Sequence, residues 1–179
     1  MSSSIQKLKQ CLSEADVWDR ELLLNRWEFI KKADSIDTNL YFIDEGCIRV
    51  YFTEGSYEHS LYFGYDGSLI SALDSFLSGK VSSLIIQSIN KTKVKVISKA
   101  TFHEFLQNNE PAFLLWQNAM SDLSLWHLER EKDLLINSPK LRYERVLSRQ
   151  PLLLQKVPHK YIASYLRISP ETFSRILNS

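Results

Sequence analysis

Only two cysteines occur among the 179 residues, Cys11 and Cys47, and their spacing suits neither a metal site nor a disulfide framework. They read as reduced thiols of a cytosolic protein and cannot supply the four ligands of an iron–sulfur cluster. The four histidines, His59, His103, His127 and His159, are widely separated and form no HxH or HExxH pattern, so no metal is expected. There is no Gly-rich phosphate loop and no nucleophile elbow. Asp34 and Asp37, like Asp44 and Glu45, are read as turn residues rather than paired catalytic carboxylates. No apolar run approaches the roughly 18 residues that span a bilayer. The opening Met1-Ser2-Ser3-Ser4 leads into a mixed polar stretch without the apolar core of a secretory signal. These absences set the expectation of a cytoplasmic protein that is not an enzyme and uses no cofactor and no membrane.

What is present is a 44% hydrophobic composition, enough for a packed core, in a length that fits one large domain or two small ones. The net charge of +1 hides an asymmetry. From Pro139 to Ser179 eight Lys or Arg face only Glu144 and Glu171, a balance of +6, while the first 138 residues carry −5. A basic end on an acidic body suggests that the end meets a polyanion.

Along the chain, residues 5–32 read as helical, because Leu8, Leu12, Ala15, Leu22, Leu23, Trp27 and Ile30 recur at mostly helical spacing, with a break near 13–16. From Asn39 to Ile97 the pattern changes to short aromatic and β-branched runs at 40–43, 48–52, 60–63, 83–87 and 93–97. Turn signals such as Asp44-Glu45-Gly46 and Glu54-Gly55-Ser56 separate them, which indicates a small barrel or jelly roll. A short helix over 101–108 precedes a long one over about 112–136. The long helix carries apolar residues on more than one stripe, wider than seating on a single sheet requires, so self-association is expected. Trp116, Ala119, Leu123 and Trp126 are the candidate interface residues. Helices over 139–149, 158–166 and 170–177 complete the reading.

The segment 157–178, VPHKYIASYLRISPETFSRILN, carries the functional signal. Ile162, Ala163 and Leu166 give its first helix an inward face, and Arg167-Ile168-Ser169 forms a three-residue turn. Ser169 is a good N-cap, with Pro170 at the first helical position. Phe173, Ile176 and Leu177 face back, leaving Glu171, Thr172, Ser174 and Arg175 near the exposed side. This is helix-turn-helix spacing, in which the second helix enters a major groove. Arg175 suits a guanine edge and Glu171 can accept from cytosine N4. Lys160 and Arg167 are placed for phosphates.

A set of short strands, a long helix and a terminal helix-turn-helix resembles the Crp/Fnr family of bacterial regulators. Residues 40–49, LYFIDEGCIR, are similar to its strand-turn-strand. Gly67-Ser68-Leu69-Ile70, followed by Phe76-Leu77-Ser78-Gly79, is similar to the approach to its phosphate-binding cassette, and residues 169–177 to its recognition helix. The resemblance covers about residues 20–179. It implies an α+β chain: N-terminal helices, a cyclic-nucleotide-binding-like double-stranded β-helix or jelly roll over 1–110, a dimerisation helix over 111–137 and a helix-turn-helix domain over 138–179. It also implies a near-palindromic DNA operator, a second copy of the chain, RNA polymerase and a small-molecule effector as partners. Ser71, Ala72, Leu73, Lys80, Ser82, Ser83 and Trp126 are the effector-pocket candidates. Three departures stand out. The Glu and Arg that hold the ribose and phosphate of cyclic AMP fall on Ala72 and Ser82, so the effector is not expected to be cyclic AMP. Arg167 stands where the turn usually has Gly. No residues follow Ser179 to form the usual β-hairpin wing. The last two motivate an alternative, a sensor or interaction module whose truncated helix-turn-helix does not bind DNA.

Overall fold

Most strands lie where short aromatic and β-branched runs are set off by turn residues. A computed structural model describes residues 3–178. It contains eight strands among them: β1 (Arg20–Leu24), β2 (Phe29–Lys31), β3 (Asn39–Glu45), β4 (Cys47–Glu54), β5 (Tyr57–Tyr65), β6 (Leu69–Ile70), β7 (Ile85–Ser88) and β8 (Thr92–Ser98). In β8 the Lys side chains are half-exposed while Val94 and Val96 are buried, as a sheet with one wet face requires. The strands form two four-stranded antiparallel sheets, β1-β8-β3-β6 and β2-β7-β4-β5. Tyr41, Ile43 and Val96 from one sheet pack on Ile48, Val50 and Ile86 from the other, giving the jelly-roll core. Gly46 makes the β3–β4 turn at φ +108, and a Cβ there would lie 2.4 Å from Thr92 Oγ1, so no larger residue fits.

The N-terminal expectation needs correction. Helix α1 (Ser3–Glu14) ends well before residue 32, and residues 20–31 contribute two strands. Leu22 and Leu24 point inward with period two, and Arg20 to Leu24 pair antiparallel with Val96 to Thr92. Trp27 then takes φ +66, which no helix allows, and its amide bonds Ser88 O at 3.1 Å. Leu-rich local propensity favoured helix, but a free edge on β8 was worth more to the chain.

Eight helices occur among the described residues: α1, α2 (Leu73–Ser78), α3 (Lys99–Gln107), α4 (Glu110–Leu135), α5 (Pro139–Arg149), α6 (Leu153–Lys156), α7 (His159–Leu166) and α8 (Pro170–Leu177). Asn109 caps α4 by accepting from Ala112 N at 3.0 Å, and Ser138 caps α5 in the same way. A second core joins α1, α2, α3 and the start of α4 through Leu8, Leu12, Phe76 and Phe102. The third is continuous from the roll into the last four helices: Cys47, Phe63 and Ile89 share one cluster with Val146, Leu153, Val157, Ile162 and Phe173. None of the helices is long and apolar enough to cross a membrane.

Candidate nucleic-acid interface

Helices α7 and α8 are built by local chemistry that the sequence spells out. Ser169 Oγ accepts from Thr172 N at 3.2 Å, and Pro170 occupies the first turn of α8. The turn between them closes on Arg167 at φ 53, ψ 49, with Arg167 N–H donating to Ser164 O and Ile168 N–H reaching back to Ala163 O at 3.1 Å. A non-glycine residue in this left-handed conformation costs of order 1 kcal/mol. Phe173 is buried, edge-on to Tyr143 and to His159. Glu171, Ser174 and Arg175 are exposed on the opposite side. Arg175 Nη2 donates to Thr172 Oγ1 at 3.2 Å, one turn back, so its fork is already drawn along the helix. Ser169 and the residue's own amide hold the Glu171 carboxyl below its ordinary range, assisted by Arg175, so it is an acceptor at any physiological pH.

The turn is braced from outside by residues that the sequence could not single out. Arg130, from α4, stacks 3.7 Å above the Tyr165 ring and donates to the Tyr165 carbonyl. Arg142, from α5, donates to the Leu166 carbonyl and to Ile136 O at 2.8 Å, tying the end of α7 to the end of α4. Burial pushes both guanidiniums below their usual proton affinity, and the nearby Arg167 adds to this. Asp133 is fully buried and takes Arg145 at 3.0 Å together with Arg149. Of the eight cations in the basic stretch, Arg142 is buried against backbone carbonyls, Arg145 and Arg149 pair with the buried Asp133 from partly exposed positions, and Lys156 faces Asp66 at 3.5 Å. Lys160, Arg167 and Arg175 remain exposed around the two helices. A count of charges could not separate these classes.

The other face of α7 is locked to the roll. Ser164 Oγ donates to Glu58 O at 2.7 Å and accepts from Ser60 N at 3.0 Å. Arg49 of β4 is 1% exposed, sandwiched 4.0 Å from the rings of both Tyr51 and Tyr161, and paired with Glu58 at 2.6 Å. Phe63 meets Tyr165 edge-on. The position of α7 is thus set by the β4–β5 hairpin as much as by its own neighbours.

The effector-pocket candidates gather around α2 and the segment after it. Ser71, Ala72 and Ser82 are buried, Leu73 is half-buried, and Lys80 and Ser83 are exposed. Trp126 of α4 stands edge-on to Tyr62 at 6.3 Å, and Tyr62 donates its hydroxyl to the Ser71 carbonyl. One residue absent from the sequence reading dominates the region. Lys31 is 4% exposed and donates to Lys32 O, Ser82 O and Leu84 O at 3.0, 2.9 and 2.7 Å. Burial lowers its pKa against the pull of Asp37, Asp74 and Asp34.

The interface candidates on α4 divide. Ala119 is 2% exposed within the single chain, and Trp116 packs on Phe102 and Phe76 at 5.0 and 6.2 Å. Ala119 therefore has no surface left for a partner, while Trp116 is half-buried against α2 and α3. Leu123 and Trp126 are half-buried. The exposed apolar residues are instead Phe113, Leu114, Leu125, Leu128 and Leu135. Breadth of apolar content was visible in the sequence, but which stripe the roll would cover was not.

The sequence matches no family model and no curated protein. Solved structures do match. FixK2 from Bradyrhizobium japonicum is 22% identical, with 89% of this chain and 82% of that one covered, at a TM-score of 0.70. The c-di-GMP-responsive global regulator CLP of Xanthomonas campestris is 14% identical over 94% of this chain and 90% of that one, at 0.74. A transcriptional regulator of the CRP family from Thermus thermophilus is 17% identical over 88% and 82%, at 0.68. The chain has the α+β fold of the Crp/Fnr regulators, with β-roll and C-terminal helices in the same arrangement.

Proposed function

We propose, from this Crp/Fnr-type fold, that the chain is a cytoplasmic, dimeric transcription regulator whose α8 reads a DNA major groove. The observation that carries the reading is α8 itself: a capped, exposed helix presenting Glu171 and Arg175 one turn apart opposite a buried Phe173. Lys160 on α7 and Arg167 in the turn supply phosphate contacts, which position the protein without carrying sequence information. Arg175→Ala is expected to flatten the preference at one base pair of each half-site by roughly 1–3 kcal/mol. Lys160→Ala should weaken all duplexes alike and lower the salt slope. Binding measured across a library of duplexes in which each position is varied checks both. If Arg175→Ala leaves the ranking of sequences untouched, α8 does not read bases. If no duplex binds at low salt, the chain is a sensor or interaction module.

The roll is proposed to take no cyclic AMP. Ala72 and Ser82 offer neither carboxylate nor guanidinium, and the cation inside this region, Lys31, has its three donors on backbone carbonyls. A phosphate buried here would be unpaired, at prohibitive cost. Titration calorimetry with cyclic AMP should show no binding at micromolar concentration, and a micromolar Kd would overturn this assignment.

A further inference from the structure

A pocket of about 470 Å³ opens between α3 and the start of α4, and none of the effector-pocket candidates lines it. Its two walls follow from helical spacing. On α3, His103, Leu106 and Gln107 share one face, and on α4 so do Glu110, Phe113 and Trp116. The walls are fixed at their junction by Asn109, whose N–H donates to Leu106 O at 3.3 Å and whose side chain accepts from Ala112 N at 3.0 Å. The floor is apolar. Leu106 is buried, and Trp116 is half-buried against Phe102 and Phe76. Phe113 is 43% exposed. The rim is polar. His103, Gln107 and Glu110 are exposed, and their side chains have no hydrogen-bonding or ion-pairing partner among the described residues. Glu110 brings the only carboxylate to the lining, and no Lys or Arg joins it among the described residues. Lys99, one turn before His103, donates to Phe76 O and Leu77 O at 2.6 and 3.0 Å, so its ammonium is spent on the end of α2. Leu114 stands about 100° around α4 from Phe113, so the exposed leucines and the pocket face different ways.

Independently of the DNA-binding reading, we propose that this pocket binds an organic cation, a protonated amine carried on an apolar body. The body packs on Leu106 and Trp116, while the nitrogen lies between the Glu110 carboxylate and the Phe113 ring, one helical turn apart on the same face. A carboxylate and an aromatic face both favour a cation over a neutral group of the same shape. The Gln107 carboxamide oxygen, on the same rim, can accept a further N–H, which favours an amine over a quaternary ammonium. An anion would meet Glu110 as a like charge. The volume lies within the roughly 300–1,000 Å³ of small-molecule sites and suits a ligand of one or two rings.

The test titrates 2-phenylethylamine, 2-phenylethanol and 3-phenylpropionate, which are similar in shape but cationic, neutral and anionic, into the full chain carrying 5-fluorotryptophan. The fluorine resonance of Trp116 is assigned by replacing each of the four tryptophans in turn with Phe. The amine should shift the Trp116 resonance saturably with a Kd of about 1 mM, ordinary for a ligand this small. The alcohol and the acid should bind at least about fivefold more weakly. Glu110→Gln should weaken the amine about fivefold, the size of one partly exposed ion pair, and leave the alcohol unchanged. Phe113→Ala should weaken both. Both replaced side chains are exposed, and thermal unfolding checks that the variants keep the fold. Equal affinity for amine and alcohol would overturn the proposal, and so would an amine insensitive to Glu110→Gln, because the pocket would then select no charge. Tighter binding of the acid would make it an anion site instead. No shift of Trp116 with the amine at about 10 mM, or shifts confined to the other tryptophans, would also overturn it.

Discussion

Leu125→Glu combined with Leu128→Glu is expected, on the dimeric reading proposed above, to convert the protein from dimer to monomer and to abolish tight binding to a palindromic site. Along α4, residues 114, 118, 121, 125, 128, 132 and 135 recur at alternating intervals of four and three, and none of them is buried within the chain. Leu114, Leu125, Leu128 and Leu135 are 52%, 62%, 53% and 76% exposed. Leu114, Leu125, Leu128 and Leu135 take four of these seven positions and Asn118, Ser121 and Lys132 the others, a coiled-coil-like seam with polar interruptions that suits a second helix. Burying one leucine contributes about 1.5–3 kcal/mol. Two replaced leucines on each of two copies therefore remove about 6 kcal/mol, more than ten-thousandfold in the association constant. Sedimentation equilibrium at micromolar protein measures it, with circular dichroism checking that α4 persists. A variant that still sediments as a dimer would place the interface elsewhere. Charges at Leu123 or Trp126 would be a poorer test, because these half-buried side chains lie on the side turned toward the chain's own roll.

Asp133→Ala is expected to cost about 3 kcal/mol of folding stability, the low end of the usual 3–5 for breaking a buried ion pair. The carboxylate is fully buried and holds Arg145 and Arg149. Those guanidiniums are 36% and 29% exposed, so they can recover part of their hydration once abandoned, which keeps the loss near the lower bound. The loss should reach α7 and α8 as well, since these contacts tie α5 to the end of α4, and Arg130 of α4 and Arg142 of α5 brace the turn before α8. Urea unfolding should show the midpoint falling with little change in slope. Asp133→Asn, which keeps an acceptor but not the charge, should fall between the two. A change below about 1 kcal/mol for the alanine variant would mean that the pair is no stronger than an exposed one.

The parts of the site that were legible in the sequence are those governed by neighbours along the chain. Ser169, Pro170 and the left-handed Arg167 define α7, turn and α8 within a dozen residues, because caps and turns answer to local hydrogen bonding and φ preference. The middle strands were legible for a similar reason: aromatic and β-branched runs over 40–43, 48–52 and 93–97, bounded by turn residues, are written directly into residue order, and in β8 buried and half-exposed positions alternate. Residues 20–31 were not, since their leucines fit a helix as well as a strand until β8 offers a partner.

Sequence by itself determined the middle strands, the long helix, the helix-turn-helix spacing and the side of α8 that faces outward, because each depends on interactions spanning at most a few turns of chain. Tertiary structure alone decided which cations are available and which are spent. Arg49, Arg130 and Arg142 read like any surface arginine, yet each is taken up by a ring or carbonyl far along the chain. Tertiary structure also decided which stripe of α4 is left bare. The physical reason is common to both. The fate of a long charged or apolar side chain is set by what desolvates it, and the desolvating partner is supplied by packing between distant segments.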